Sequence, residues 1–289
     1  MNQKQAKIFD AHLHTLGTFL SPHKNIIEYM DYYNVEKAII TTTNKAASAK
    51  VYANKEILNE EKENSGDKVQ EAFSKFREMM PKEQLSHQDV IELANKAPER
   101  FFKFFWFNPM INSENEDRDY RVLENHFNNG FCGVKLHSGI HLAKVPRDIT
   151  KLVEFMQEYN SNFPLYIHST PKVSYFSGIS CKDIAKLAEM YPRLIIIIGH
   201  AGMAMEYVIE EGLTLKKYSN IYFETSCSIP YAILALIKML EHKRILFGSD
   251  APITNPIQIE IDKINALPIK NEQKQDIFYN NTFELLKRI

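Results

Sequence analysis

Two histidines at the end of a short apolar run are the first residues that could carry chemistry. His12 and His14 end the run that begins at Ile8, with a single residue between them. Alternate side chains of a β-strand point to the same face, so the sequence predicts two imidazoles that project together. Burying both without a partner is costly, and a divalent metal ion is a partner that imidazole nitrogen binds well. Because an H-x-H pair alone is weak evidence, the prediction of a metal site depends on further ligands.

Three more apolar runs end in side chains that bind metals or move protons. They are His168 after residues 164–167, His200 after the aliphatic run 194–198, and Asp250 within the motif Gly-Ser-Asp-Ala-Pro. Each of these residues alone could belong to the core or to a loop. Their joint occurrence at predicted strand ends, together with the histidine pair, indicates a metal centre.

Eight short apolar runs alternate with amphipathic helical patterns along the whole chain. The predicted strands cover residues 8–14, 38–43, 101–107, 133–137, 164–168, 194–200, 221–225 and 244–250. Several are apolar throughout, as expected of parallel strands buried on both faces. Eight β-then-α units predict an α/β fold, a (β/α)8 TIM barrel, in a single domain spanning residues 1–289; a doubly wound open sheet is the alternative. The barrel is favoured because polar residues end nearly every strand, where the active sites of barrels lie.

A long charged segment, residues 44–98, separates the second and third strands and is predicted to be a helical insertion. Its apolar residues recur at helical spacing and form a stripe of Val69, Phe73, Phe76 and Met80. Ser86 and Asp89 are predicted to begin a further helix that ends near Pro98. Because the insertion leaves the carboxyl end of strand two, we expect it to cover the barrel mouth as a lid. Packing on the barrel's flank or on a neighbouring subunit is the alternative.

The composition is typical of a soluble globular protein, since 44% of the 289 residues are hydrophobic and 25% are charged. A formal net charge of −1 argues against nucleic acid or an acidic membrane surface as a partner. The longest aliphatic run, 194–198, is far shorter than the ~20 residues of a membrane span. The three cysteines form no C-x-x-C pair and the amino terminus has no signal-peptide pattern. We therefore expect a cytoplasmic protein with buried, reduced thiols and a small-molecule substrate; homo-oligomerisation is left open.

The motifs resemble those of the amidohydrolase superfamily. The resemblance is greatest to the amidohydrolase-related branch, which contains aminocarboxymuconate-semialdehyde decarboxylase, other decarboxylases, and hydrolases of lactones and carboxylic derivatives. The matching motifs are Asp10-Ala-His-Leu-His14, Ala97-Pro-Glu-Arg-Phe101, Gly133-Val-Lys-Leu-His137, Ile167-His168, Gly199-His-Ala-Gly202, Gly248-Ser-Asp-Ala-Pro252 and Asn280-Asn-Thr-Phe-Glu-Leu-Leu286. They cover nearly the whole chain apart from the inserted part of residues 44–96.

The resemblance implies a metal centre with four ligands, which are His12, His14, His168 and Asp250. The expected cofactor is one divalent ion, zinc or alternatively manganese, with a coordination position left open for water. Asp250 is then expected to take a proton from that water and to deliver it to the leaving group. His200 is expected to orient the water or to stabilise negative charge on the substrate carbonyl oxygen.

Lys135 and His137, at the end of the fourth strand, are assigned to substrate binding. Lys135 would attract an anionic group of the substrate; alternatively it is carboxylated and bridges two metals, as in another subtype of the superfamily. A structural role for His137 stays open. Asp10 is expected two residues deeper than His12 on the same face, as a partner of the ligands or as part of the barrel floor.

Four other polar or aromatic residues near strand ends are weaker candidates. Glu224, at the end of strand seven, is expected to form a salt bridge or to support a metal ligand from behind. His141 and Arg147 are expected in a solvated loop after strand four, and binding of a carboxylate is the alternative. Trp106 is expected in the barrel wall and not as a platform for a ligand.

The predicted activity is hydrolysis of a small ester, lactone or amide by a metal-activated water. The alternative is a metal-dependent non-oxidative decarboxylase that uses the same site, and no motif in the sequence decides between the two. Hydrolysis is favoured because no dense arginine cluster for a carboxylated aromatic substrate stands out. A barrel with a vestigial site is disfavoured because every type of metal ligand is present.

Overall fold

The computed structural model describes residues 6–42, 84–109, 116–141, 143–169, 179–203 and 205–289. Eight parallel strands run through them: β1 (Ile8–His14), β2 (Val35–Thr41), β3 (Phe101–Phe107), β4 (Phe131–Leu136), β5 (Leu165–His168), β6 (Ile196–Gly199), β7 (Ile221–Glu224) and β8 (Ile245–Leu246). Each strand pairs with the next along the chain. All eight predicted strands are present, although their ends differ from the predicted ones.

Hydrogen bonds between the first and last strands close the sheet into a barrel. The amide of Ala11 donates to the carbonyl of Phe247 over 2.8 Å. Further along, Leu13 and Ala251 form a parallel bridge. The predicted (β/α)8 TIM barrel is therefore confirmed, and a doubly wound open sheet, which has two free edges, is excluded.

Helices follow the strands and cover the outside of the barrel. They are α1 (Ile26–Tyr32), α2 (Gln88–Lys96), α3 (Glu116–Asn128), α4 (Ser138–His141), α5 (Thr150–Asn160), α6 (Cys181–Met190), α7 (Met205–Leu215), α8 (Pro230–Leu240), α9 (Ile257–Asn265), α10 (Asn271–Gln275) and α11 (Asn281–Leu286). Ser180 caps α6, because its hydroxyl accepts the amide of Asp183 at 3.2 Å. Pro230 begins α8, where its missing N–H needs no partner. Within the described ranges, no helix is long and apolar enough to cross a membrane.

The helix predicted between Ser86 and Pro98 is confirmed as α2. Its Asp89 accepts hydrogen bonds from the hydroxyls of Thr15 at 2.5 Å and Thr42 at 2.8 Å. These bonds attach α2 to the carboxyl ends of β1 and β2. The apolar stripe of the insertion, and with it the expected lid, lies outside the described residues; its members are Val69, Phe73, Phe76 and Met80.

Two apolar clusters fill the protein. The outer one, between strands and helices, includes Leu13, Ile40 and Ile198. The inner one, inside the barrel, includes Ile197 and, from α11, Leu285. Successive residues of a strand alternate between the clusters, so the inward-pointing residues at the carboxyl ends line the barrel mouth.

A β-bulge in β1 changes which of its residues point inward. Between Asp10 and Leu13, β1 is one residue longer than its partner β2. Ile8 and Leu13 accordingly both pack in the outer cluster, although strict alternation would place them on opposite faces. Asp10, two residues after Ile8, lies on the outer side as well. The expectation that Asp10 shares the face of His12 is therefore wrong, because the bulge intervenes.

Candidate active site

The carboxyl end of the barrel brings three of the four predicted metal ligands together. Nε2 of His14 lies 3.2 Å from Nε2 of His12 and 3.1 Å from a carboxylate oxygen of Asp250. The same oxygen lies 3.2 Å from Nε2 of His12. All three side chains are buried. The amide of Asp250 donates to the carbonyl of His12 over 2.8 Å, so closure of the barrel sets the spacing of this three-ligand cluster.

The separations within the three-ligand cluster fit a divalent cation. Atoms that each lie about 2.0–2.1 Å from one ion in tetrahedral directions are about 3.3 Å apart, close to what is observed. Imidazole nitrogen and carboxylate oxygen are also suitable donors for zinc and manganese. The ammonium of Lys135 contacts Nε2 of His12 and lies 3.1 Å from Nε2 of His14. A positively charged group therefore already lies against this donor set.

His168, the fourth predicted ligand, lies to one side of this cluster. Its ring stacks on His137 with the centroids 3.7 Å apart, and its Nδ1 lies 2.9 Å from Nε2 of His200. Across the part of the chain that the structure describes, no group of three ligand atoms within 4.8 Å of one another includes His168. His168 therefore lies next to His200 and His137 in the structure, outside the three-ligand cluster.

Glu224, at the end of β7, connects His12 and His200 through hydrogen bonds. One carboxylate oxygen accepts the hydroxyls of Tyr166 at 2.6 Å and Ser226 at 2.8 Å, and lies 3.3 Å from Nδ1 of His12. The Ser226 hydroxyl lies 2.9 Å from Nδ1 of His200. A carboxylate beside Nδ1 favours the tautomer that leaves Nε2 free to bind a metal. Glu224 therefore lies behind the imidazole of His12, as expected.

Two glycines in the sequence motifs make room for this network. A Cβ at Gly199 would lie 2.1 Å from the Tyr166 hydroxyl, and a Cβ at Gly248 would lie 2.1 Å from a carboxylate oxygen of Glu224. Displacing the Tyr166 hydroxyl or the Glu224 carboxylate would cost free energy, because both side chains are buried and hydrogen-bonded to each other. Glycine is therefore required at both positions by the Tyr166–Glu224 pair.

Asp10 holds the two ligand-bearing segments together. Its carboxylate accepts the amides of His12 at 2.9 Å and Ser249 at 3.0 Å, and the hydroxyl of Ser249 at 2.5 Å. Burial raises the pKa of Asp10 to about 8, against the effect of the Ser249 hydrogen bond. Asp10 acts on the backbone next to the ligands, which is the supporting role expected for it.

Three neighbouring strand ends carry residues in the left-handed region of the backbone. The φ angles are 60° at His200, 60° at Cys227 and 52° at Asp250. Such angles cost roughly 1–3 kcal/mol in residues other than glycine and are concentrated at functional sites. Ligand atoms of the three side chains lie within 4.8 Å of one another. Cys227 is therefore a half-buried thiol at the site, and not the buried core thiol that was expected.

Burial governs the charge states of the site. It lowers the pKa of His14 to about 3, with a further contribution from Lys135, so this imidazole is neutral near pH 7 and able to bind a cation. Burial also lowers the pKa of Lys135 to about 8. For Asp250 burial acts in the opposite direction, but its interactions with His12 and His14 are stronger and hold its pKa well below the ordinary value. Asp250 is therefore an ionised carboxylate.

The two residues assigned to substrate binding both lie in the mouth of the barrel. Lys135 is the register partner of Trp106 on β3, and its ammonium lies 5.2 Å from the centroid of the indole ring. His137 lies parallel to that ring, with an interplanar angle of 9° and centroids 6.0 Å apart. Trp106 is part of the barrel wall, as expected.

Sequence reasoning missed Tyr166 and Ser226 and misjudged His141. Tyr166 lies two residues before His168 on β5, so strand alternation is the signal that could have found it. Ser226 lies two residues beyond the end of β7, where no strand pattern points to it. His141, expected in a solvated loop, is only 7% exposed. That expectation is wrong because the chain forms the short helix α4 here and places His141 beside Trp106. Arg147 is exposed, as expected.

The fold and this donor set define a (β/α)8-barrel enzyme with a candidate metal centre at the carboxyl ends of its strands. The chain belongs to the amidohydrolase family, whose model matches residues 9–288. Members of this superfamily are metal-dependent enzymes, so the predicted superfamily and the prediction of an enzyme are confirmed. No curated protein sequence matches the chain.

Three solved structures share this fold. An uncharacterised TIM-barrel protein from Bordetella bronchiseptica has a TM-score of 0.70 at 15% identity, over 98% of this chain and 99% of that chain. A 5-carboxyvanillate decarboxylase from Novosphingobium aromaticivorans, complexed with manganese and 4-hydroxy-3-methoxy-5-nitrobenzoic acid, has a TM-score of 0.62 at 14% identity, over 99% and 97%. A probable 2-pyrone-4,6-dicarboxylic acid hydrolase from Acinetobacter baumannii, with citric acid bound, has a TM-score of 0.59 at 14% identity, over 96% and 98%. At these identities the likeness shows the fold alone.

Proposed function

We propose that this chain is a metal-dependent hydrolase of a small ester, lactone or amide. The observation that carries the proposal is the position of Asp250, whose carboxylate oxygen lies within 3.2 Å of Nε2 of both His12 and His14. A carboxylate placed there can bind a cation and can also accept a proton beside it. Hydrolysis needs both functions, because the attacking water has to be activated and has to lose a proton.

We infer that one divalent cation, zinc or manganese, is held by His12, His14 and Asp250, with His168 as a fourth ligand. The measured separations support the first three, whereas His168 is assigned from the sequence motif alone. The cation would supply Lewis acidity, which activates water and polarises a carbonyl group.

The residues of the chain carry out proton transfer, charge stabilisation and substrate binding. Asp250 accepts the proton of the attacking water and delivers it to the leaving group. His200, oriented through its contact with the Ser226 hydroxyl, stabilises the negative charge that develops on the substrate carbonyl oxygen. Lys135 attracts an anionic group of the substrate, and His137 lines the same wall of the mouth.

A non-oxidative decarboxylase is the second candidate. It is favoured by the structural neighbours, which include enzymes described as decarboxylases of 2,6-dihydroxybenzoate and 5-carboxyvanillate. In such a reaction the bond from carbon to the carboxylate breaks and its electron pair stays on carbon, which then needs a proton. The Lys135 ammonium, buried among the metal ligands, is a donor at the right place.

Two assays of metal-loaded protein separate the candidates. Small lactones, esters and amides are followed by release of acid, and carboxylated phenols are followed by release of carbon dioxide. Acid release that is lost in Asp250→Asn, without carbon dioxide from any acid, supports the hydrolase. Carbon dioxide release without acid release would replace it by the decarboxylase. Elemental analysis is expected to find one metal per chain; two metals with a carboxylated Lys135 would move the chain to the two-metal class.

A further inference from the structure

One side of the barrel mouth contains buried polar atoms that are not paired. Among the residues that the structure describes, Nε1 of Trp106 and Nδ1 of His141 are inaccessible to solvent and make no hydrogen bond. Each of the two side chains is only 7% exposed. Buried polar groups are paired in the large majority of cases, so an unpaired one in a native structure needs a reason.

The two rings form one wall next to the metal ligands. Their centroids are 6.4 Å apart, with the planes inclined by 65°. Trp106 points into the barrel together with its register partner Lys135, whose ammonium lies 5.2 Å from the indole centroid. The ring of His14 lies 6.0 Å from the same indole. The unpaired atoms therefore belong to the active site and not to a remote part of the core.

A third unpaired group ends the neighbouring strand β2. Thr41, the last residue of β2, is 2% exposed, and its hydroxyl has no partner within the described ranges. It is the register partner of His14, and the preceding Ile40 packs in the outer cluster, so Thr41 points inward. We call Thr41, Trp106 and His141 the β2–β4 wall, because Thr41 ends β2, Trp106 lies in β3 and His141 follows β4.

The chemistry of the β2–β4 wall suits an anionic oxygen ligand. The indole N–H is only a donor, a hydroxyl can donate, and a neutral imidazole donates from one nitrogen. Lys135 adds a positive charge beside them. A carboxylate is the group that best uses several converging donors and a nearby cation, because hydrogen bonds to an ionised acceptor are the strong ones.

Building on the hydrolase proposed above, we propose that the β2–β4 wall binds a carboxylate of the substrate. The wall lies across the mouth from Glu224 and Asp250, on β7 and at the end of β8. A substrate anchored there presents its reactive bond to Asp250 and His200. The substrate is accordingly a small carboxylic acid that carries the ester, lactone or amide group to be cleaved.

Calorimetric titration of the metal-loaded protein with benzoate tests the proposal, with benzamide as the uncharged match. Benzoate is expected to bind at least about tenfold more tightly than benzamide. Trp106→Phe keeps an aromatic ring but removes the donor, and it is expected to weaken benzoate binding by about tenfold or more. His141→Leu is expected to act in the same direction, and His141→Asn, which restores a donor, to recover part of the affinity.

Thr282 offers a matched control. It is also a fully buried threonine whose hydroxyl is unpaired within the described ranges, but it lies in α11 below the barrel. Thr41→Val is expected to weaken benzoate binding, whereas Thr282→Val is expected to leave it unchanged. Because Trp106 is the only tryptophan of the chain, its fluorescence reports occupancy of the wall in the Thr41 and His141 variants.

Two results would overturn the proposal. One is equal benzoate affinity in wild type, Trp106→Phe and His141→Leu, which would also be the result if benzoate bound only to the metal. The other is an absence of benzoate binding by the metal-loaded wild type. Failure of the hydrolase is measured separately, by turnover and metal content, so the two proposals can fail independently.

Discussion

The β5–β8 side and the β2–β4 side of the barrel mouth differ in how completely their polar groups are paired. On the first side, Glu224 accepts the hydroxyls of Tyr166 and Ser226 and contacts the imidazole of His12. On the other side, all three members of the β2–β4 wall have unpaired polar atoms within the described ranges. Groups that are already paired keep their geometry before a substrate arrives, which metal binding and charge stabilisation require. Unpaired groups can form hydrogen bonds with a bound substrate. The difference therefore supports catalysis on the β5–β8 side and substrate recognition on the β2–β4 side.

The most severe disruption of the paired side is expected from Asp250→Asn. The amide remains a weak ligand but no longer accepts a proton, so turnover is expected to fall by about 10³-fold. Far-ultraviolet circular dichroism and thermal unfolding should show an intact fold. The matched control is Asp276→Asn, a buried carboxylate at the opposite end of the barrel that binds Lys243. A variant Asp250→Asn with most of the wild-type turnover would exclude Asp250 as the acid/base.

The roles of His12 and His200 can be separated by paired alanine substitutions. His12→Ala is expected to lose the metal, because Nε2 of His12 belongs to the three-ligand cluster. His200→Ala is expected to keep the metal and to lower turnover by about 10²–10³-fold through loss of charge stabilisation. Metal content and single-turnover rates are measured on the same preparations. Equal metal loss in both variants would identify His200 as a ligand, as in a two-metal site.

Glu224→Gln tests whether the paired network supports the metal ligand. The neutral amide lacks the negative charge beside Nδ1 of His12, and its NH2 group cannot accept the Ser226 amide that the second carboxylate oxygen accepts. Loss of such a partner typically weakens metal affinity by about 10–100-fold. Chelator competition with the apoprotein measures this without any substrate. Glu211→Gln, at an equally buried glutamate away from the ligands, should leave the affinity unchanged. Equal affinities in both variants would show that Glu224 does not orient His12.

The prediction with the smallest expected effect concerns the charge states of the two buried glutamates, Glu224 and Glu211. Burial would raise the pKa of Glu224, but its interactions with His12, His200 and Tyr166 together outweigh burial and lower the pKa to about 2. Glu211 accepts the amide of Gly202 at 2.7 Å, and burial raises its pKa from 4.5 to about 8. Glu211 is thus protonated in the folded protein at neutral pH.

A group whose pKa is raised by folding stabilises the fold at low pH and loses that contribution as the pH rises. The contribution of Glu211 is complete below about pH 4.5 and is lost as the pH rises through about 8. Between these values the free energy of unfolding should fall more steeply in the wild type than in Glu211→Gln. Urea unfolding at several pH values measures the two slopes, and parallel curves would contradict the assignment.

Local patterns predicted much of the barrel. The strand predicted over residues 101–107 is observed as Phe101–Phe107, and the side chain of Ser180 caps α6. These features depend on alternation and capping, which involve only neighbours along the chain. The last strand was predicted over residues 244–250 but ends at Leu246. Beyond that point the chain turns toward β1 with Asp250 in the left-handed region, a conformation that is set by closure of the barrel.

The sequence alone identified the residues that could carry chemistry at the mouth of the barrel. His12, His14, His200 and Asp250 were identified because each ends an apolar run, and because strand alternation and motif spacing are local properties. It also favoured a barrel over a doubly wound open sheet, since eight strand and helix units alternate along the chain and polar residues end nearly every strand.

The contacts between these residues depend on how the whole chain folds. The bulge in β1 turns His12 inward, the ring of His168 stacks on His137, and the imidazole of His141 is buried beside Trp106. The physical reason is that these contacts join residues far apart in the chain: the Tyr166 hydroxyl lies 2.7 Å from Nδ1 of His12, across 154 positions of sequence. No local preference determines such a contact, because it forms only when the eight strands close into one barrel and the residues inside it have to share the available hydrogen bonds.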